Sequence, residues 1–360
     1  MFVDQMRVHI LSTSNYISYF FFYPLLVNKR RLAELNIYVN YYDNLSDKLY
    51  DCDVLLLDSK HFSALWGNRD YVLSLLQEIK YKCRKLIWLD STASTGTTHF
   101  QVLPYVDKYW KKQLLKDLEL YENDYYGARI YTDYYKNHYN LPNEEVAQVD
   151  PIDKKYINKL YLSWNLVFGP YSVNKRITNL VRLTPWFLKK KLNFTYQVAR
   201  NPTKAERSNP VCFRGSDKYT NMVLAFQRIK IIEMLRNRGV DTTSVKFKDY
   251  INELENTKIA ISPFGAGELC YRDFEIFLTG ALLLKPSLDH LVTWPDIFIE
   301  GKTYVSTKWD LSDFEEKVNC LLQNDDLVKQ ISLEAHERYV SLFKDKAQED
   351  FCYRFIELIS

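Results

Sequence analysis

Short, uninterrupted apolar runs separated by longer amphipathic ones constrain this chain more than any other feature. In the first half, Val8–Leu11, Asn36–Tyr41, Asp53–Leu57 and Leu86–Leu89 read as strands. A strand without polar alternation is buried on both faces, as in a parallel sheet covered by helices. Phe20–Leu35 reads as a helix interrupted early by Pro24, and Tyr71–Lys82 carries its apolar residues at helical spacing. The second half repeats the alternation. Strands are expected at Val211–Phe213, Ser244–Phe247, Lys258–Ser262, Ala281–Lys285 and Thr303–Ser306. Helices are expected at Asn221–Arg238, Tyr250–Asn256, Tyr271–Thr279, Ser312–Leu322, Asp326–Phe343 and Gln348–Ile359. Between the halves, Lys108–Tyr121 and Pro151–Leu166 read as helices, Asn123–Asn140 as irregular, Trp186–Lys191 as a short basic piece and Asn201–Pro210 as a loop.

A chain of 360 residues exceeds one ordinary core, so two domains are expected. The alternation implies an α/β protein with two Rossmann-like, doubly wound domains facing across a cleft. We assign 1–175 to an N-terminal domain, 176–207 to a linker and 208–345 to a C-terminal domain. The final helix, 346–360, is expected to pack back on the first domain. Ligands in such sheets bind beyond the carboxyl ends of the strands, which places the site in the cleft.

Charge and cysteines narrow the classes. The 48 basic and 45 acidic residues leave a formal charge of +3, too weak a field for a nucleic-acid partner. No two of the six cysteines lie within a metal-knuckle spacing, which favours free thiols in a reducing compartment. Met1–Arg7 has no signal-peptide pattern, and the apolar run Tyr16–Val27, broken by Ser18 and Pro24, is too short to span a bilayer. A cytoplasmic protein is expected, and peripheral membrane association is compatible with it. Lys189–Lys191 reads first as a solvated face.

The densest chemical signal is Ser262–Pro286, SPFGAGELCYRDFEIFLTGALLLKP. A strand ends at Ser262, and Gly265 and Gly267 flank a tight turn where backbone can approach a ligand. A helix follows whose first turns carry Glu268, Arg272, Asp273 and Glu275. Such a helix start favours phosphate, and Arg272 can add bidentate contacts to a diphosphate. Glu275, three residues on and on the same face, can accept from a ribose diol. The plain alternative is a βα turn with a capping carboxylate and a surface ion pair.

The run GELCYRDFEIFLTGALLLKP resembles the donor-site segment of GT-B glycosyltransferases, most closely their exostosin-like and related inverting branches. Arg272, Glu275 and Gly280 match that segment position by position. The run CFRGS at Cys212–Ser216 is similar to the first strand and loop of a donor domain, with Arg214, Gly215 and Ser216 at the phosphate and Arg228 on the helix behind. The resemblance covers about 205–310. It implies a UDP- or GDP-sugar donor and transfer to a hydroxyl of a glycan or glycolipid acceptor. It also implies arginines in place of a metal ion, and no cofactor. The GxxxPE-like run of retaining relatives is absent, which implies inversion.

Inverting transfer needs a base for the acceptor hydroxyl. Asp90, at the carboxyl end of a strand, is the first candidate, His99 the second and Asp58 the third. Each aspartate could instead cap the segment that follows it. Asp51-Cys52-Asp53 precedes a strand and carries no metal expectation. Asp289-His290, after Pro286, is a surface pair or a base-facing loop. Two alternatives stand beside transfer. One is a non-catalytic nucleotide- or glycan-binding subunit; the other is a nucleotide-sugar epimerase or hydrolase on the same fold.

Overall fold

The computed structural model describes residues 5–139, 141–171, 184–189, 192–196, 206–216 and 221–360. Most of the expected linker, residues 201–205 of the expected loop, Lys190, Lys191 and Lys218 lie outside them; at the other end of that loop, Asn209 and Pro210 belong to the strand Asn209–Cys212.

Six parallel strands form the first sheet: β1 (Met6–Leu11), β2 (Ile37–Tyr42), β3 (Val54–Asp58), β4 (Leu86–Asp90), β5 (Lys108–Lys111) and β7 (Leu160–Leu162), in the order β2-β1-β3-β4-β5-β7. Every residue of β3 and β4 is buried. Successive side chains feed opposite faces. Leu56 joins the core beneath helix Tyr16–Val27, while Leu55 and Leu57 join the one beneath helix Arg69–Lys82. The helix at Tyr16–Val27 starts at Asn15, whose side chain accepts from the Ser18 amide at 2.8 Å. Pro24 removes one helical donor; the helix ends at Val27 and a second one runs Lys29–Glu34.

The second sheet, β12-β10-β9-β8, is also parallel: β8 (Asn209–Cys212), β9 (Thr257–Ile261), β10 (Leu282–Pro286) and β12 (Tyr304–Thr307). A short antiparallel pair, β6 (Leu114–Leu115) with β11 (Leu291–Val292), stitches the halves together. One apolar core runs through both, including Phe20, Trp164, Phe274, Tyr339 and Phe351. Helix Asp345–Ile359 lies against the first half. Its Phe351 ring meets Trp164 at 5.2 Å and Arg354 donates to the Leu162 carbonyl at 2.7 Å. Among the described residues no helix is long and apolar enough to cross a membrane.

Four expectations fail locally. Lys108–Tyr121 is not a helix: it contains β5, β6 and a 3-10 turn, because β5 is claimed by the sheet between β4 and β7. Pro151–Leu166 is likewise two 3-10 turns flanking β7. Asn123–Asn140 contains a regular helix, Ile130–His138, whose Tyr131 and Tyr135 are buried. Ser244–Phe247 forms no strand, and Phe247 opens the helix Phe247–Leu254.

Candidate functional site

A cavity of about 530 Å³ lies beside the start of helix Tyr271–Thr279. Arg214, Arg228, Gly265, Arg272 and Glu275 all line it, together with Tyr250, Phe247 and Tyr271. The helix is set by Asp273, which is completely enclosed. Its carboxylate accepts from the Cys270 amide at 2.8 Å, from the Ser262 hydroxyl and from Lys285 Nζ at 3.1 Å. This triple tie binds the helix start to β9 and β10, leaving Arg272 and Glu275 on the cavity wall. Gly280 then closes the helix in the left-handed region, at φ 69°, and leads into β10.

The three guanidinium groups differ. Arg214 is spoken for: it donates to Glu253 at 2.7 and 2.8 Å and to Asp241 at 2.6 Å. Those hydrogen bonds, chiefly to Glu253, raise its pKa against the cost of burial. Arg272 donates to the Arg214 carbonyl at 2.7 Å and stacks over Phe213 at 4.8 Å. Burial, with the Arg272 charge beside it, lowers the pKa of Arg228. Two neighbouring cations in a partly dry cavity favour an anion between them. Gly215 serves packing, since a side-chain carbon there would meet the Phe213 ring at 2.6 Å, and Ser216 is exposed.

The rest of the glycine turn faces the other half of the molecule. A side-chain carbon at Gly267 would stand 1.7 Å from the Ala93 carbonyl oxygen. Glu268, wholly buried, accepts from the Thr95 amide at 3.1 Å and the Thr95 hydroxyl at 2.5 Å, with His290 Nε2 at 3.8 Å. Burial alone would raise its carboxyl; His290 and Thr95 bring it below the usual range. Arg129 donates to the Ala266 carbonyl and Tyr131 to that of Gly265, at 3.0 and 3.1 Å. The Gln113 side chain accepts from the Leu269 amide at 2.9 Å. Loops beyond β4 and β9 thus meet directly, carboxyl edge to carboxyl edge. Gly267, Glu268 and Asp273 are placed in this joint and in the helix start, not in the cavity wall. Asp289 pairs with Ser287 on the surface.

Asp58, Asp90 and His99 do not line the cavity. Asp58 accepts from the hydroxyls of Ser12 at 2.7 Å, Ser91 at 2.8 Å and Ser18, and from the Lys60 amide at 3.1 Å. Asp90 accepts from Lys111 Nζ and the Thr92 amide, both at 3.0 Å, and from the Tyr109 hydroxyl. Burial would raise the Asp90 carboxyl; Lys111, His99 and Tyr109 hold it well below the usual range. A carboxylate so saturated is a poor proton acceptor. His99 stacks on Trp66 at 4.9 Å, with its Nδ1 3.8 Å from Asp90. Asp51 and Asp53 meet Arg7 and Arg84, and among the described residues no group of three or more His, Cys, Asp or Glu is placed to hold a metal ion.

Several cavity residues escaped the sequence reading. Tyr271 directly precedes Arg272 and was the easiest to find. Phe247 and Tyr250 sit on a helix that begins within an expected strand. Gln113, which accepts from the Leu269 amide beside the cavity without lining it, lies inside the expected helix 108–121.

No family model and no curated protein matches the chain. Solved structures do. A glycosyltransferase from Rickettsia africae is 10% identical over 99% of this chain and 98% of its own, at a TM-score of 0.47. Anabaena HepE in complex with UDP and glucose is 9% identical over 98% of each chain, at 0.47. An alpha-glucosyltransferase in complex with UDP and a 13-mer DNA containing an HMU base is 10% identical over 99% of this chain and 100% of its own, at 0.48. Likenesses at these identities and TM-scores fix no chemistry for this chain.

Proposed function

We propose that the chain is a GT-B-type glycosyltransferase that moves a sugar from a UDP- or GDP-sugar to a hydroxyl of a glycan or glycolipid, with inversion and without a metal ion. One observation carries the reading: Arg228, Arg272, Glu275 and Gly265 converge on one cavity at the carboxyl edge of a parallel sheet. There the diphosphate sits against Arg272 and Arg228, which stabilise its charge as it leaves. Arg214, neutralised by Glu253 and Asp241, holds the wall and positions Arg272 through its carbonyl. Glu275 accepts from the ribose, and the rings of Phe247 and Tyr250 offer the base an apolar surface. The first half presents the acceptor across the joint.

A non-catalytic nucleotide-binding subunit is the second reading. The saturation of both Asp58 and Asp90 favours it. Release of UDP from UDP-glucose, or of GDP from GDP-mannose, separates the two: a transferase releases nucleotide slowly to water, and a binding subunit shifts its melting point with UDP or GDP but releases none.

A further inference from the structure

The residues lining the donor cavity fall into an order set by their contacts. Phe247 and Tyr250 lie on helix Phe247–Leu254, whose Glu253 holds Arg214. The Arg272 charge acts on the Tyr250 hydroxyl, which makes Arg272 the next group along. Arg228 follows: a side-chain carbon on Gly265 would stand 3.8 Å from its guanidinium. Gly265, Ala266 and Tyr271 complete the wall, and these three touch the first half of the molecule. Tyr131 and Arg129 donate to the Gly265 and Ala266 carbonyls, at 3.1 and 3.0 Å. The Tyr271 ring meets Tyr16 at 5.4 Å and Phe20 at 5.0 Å.

A nucleotide-sugar laid along this order has its base beside Phe247 and its diphosphate between Arg272 and Arg228. Its sugar then lies at the joint, where an acceptor held by the first half can reach it. Among the described residues lining the cavity, Glu275 is the one carboxylate, and the ribose takes it. The joint end therefore has no carboxylate of its own to grip sugar hydroxyls. It has a large aromatic ring instead. Tyr271 is held by tilted and edge contacts, at 87° to Tyr16, 58° to Phe20 and 51° to Tyr171. Among the described residues no ring lies flat on it. A pyranose presents a face of C–H bonds that packs on such a ring and leaves its hydroxyls pointing outward.

Resting on the glycosyltransferase reading, we propose that Tyr271 is the platform for the transferred sugar and a determinant of which sugar is taken. Its ring receives the apolar face of a pyranose at the joint end of the cavity. Tyr271 is the first residue of helix Tyr271–Thr279 and directly precedes Arg272, so platform and diphosphate contact share one turn. Asp273 fixes that turn to Ser262 and Lys285. The rings of Tyr16 and Phe20 brace the platform from the acceptor side.

Calorimetric titration tests this with UDP, UDP-glucose, UDP-galactose and UDP-N-acetylglucosamine, and with GDP, GDP-mannose and GDP-fucose. The proteins are the wild type, Tyr271→Phe and Tyr271→Leu. Leucine keeps apolar bulk among Tyr16, Phe20 and Tyr171 but removes the flat ring; phenylalanine keeps the ring. For the sugar nucleotide that the wild type holds best, Tyr271→Leu should weaken binding about fivefold or more, while the parent diphosphate changes less than about twofold. Tyr271→Phe should stay within about twofold of wild type for both. Equal losses of sugar nucleotide and diphosphate in Tyr271→Leu would place the ring elsewhere than at the sugar and overturn the proposal. So would a Tyr271→Leu variant that binds as the wild type does, or a Tyr271→Phe variant as weak as Tyr271→Leu. A wild type that binds a diphosphate but none of its sugar nucleotides removes this proposal and the transferase reading together. One that binds neither UDP nor GDP refutes the donor cavity itself.

Discussion

Gly267 approaches Ala93 so closely that any side-chain carbon would stand 1.7 Å from the Ala93 carbonyl oxygen. The contact joins the glycine turn beyond β9 to the loop beyond β4, and Glu268 and Thr95 seal it at once. The two halves are therefore held by an enclosed polar joint as well as by a shared apolar core.

Gly267→Ala should push the halves apart at this joint. Overpacked sites of this kind lose about 1–3 kcal/mol, and urea unfolding should show the loss as a lower midpoint. An unchanged midpoint would mean that the joint is not closed in solution.

Acid should loosen the same joint. Glu268 is held below its ordinary value of 4.5 and Asp90 well below its ordinary 3.8. Each carboxylate therefore contributes stability that is complete above its ordinary value and is lost as pH falls through the depressed one. Unfolding free energy should decline below pH 4.5, and Glu268→Gln should remove the first part of that decline. A variant whose acid profile matches the wild type would detach Glu268 from the effect.

Lys111→Met leaves Asp90 buried without its cation. Breaking such a pair costs about 3–5 kcal/mol, whereas replacing both partners costs far less. The double variant Lys111→Met with Asp90→Asn should thus unfold at higher denaturant than Lys111→Met alone. The reverse order would show that Asp90 is not held by Lys111.

Much of this was legible in the residues. Continuous apolar strands such as Val54–Asp58 declare a buried parallel sheet, and the helix Tyr271–Thr279 was bounded by Gly280 and by the apolar run after it. Arg272 and Glu275 share a helix face by spacing alone, and the cavity has both. What stayed hidden was set by tertiary contact. Lys108–Lys111 lies within an expected helix but is drawn into the sheet, and Lys111 and Lys112 are both buried there. Gly267 and Glu268 look like ligand-facing residues beside a helix start. Only the fold shows that Ala93 and Thr95 meet them. Asp58 and Asp90 sit at strand ends as expected, but the serines and the lysine that saturate them come from distant parts of the chain.

Arg272→Ala should weaken nucleoside diphosphate binding by about 1.5–3 kcal/mol, the worth of hydrogen bonds to a charged group, or roughly tenfold or more in Kd. Arg272→Lys should recover part of this, since it keeps the charge but not the fork. Calorimetric titration with UDP and GDP reads both. Equal affinities across the three proteins would remove Arg272 from the site.

The central claim is that the cavity between Arg228, Arg272 and Glu275 holds a nucleoside diphosphate. Melting midpoints measured with UDP, GDP, CMP and dTDP, for the wild type and Glu275→Ala, address it most directly. A ligand at 100 times its Kd adds about 2.7 kcal/mol of stability. The account predicts a clear rise with one diphosphate, much reduced in Glu275→Ala. No rise with any of the four, or an equal rise in the variant, would contradict it.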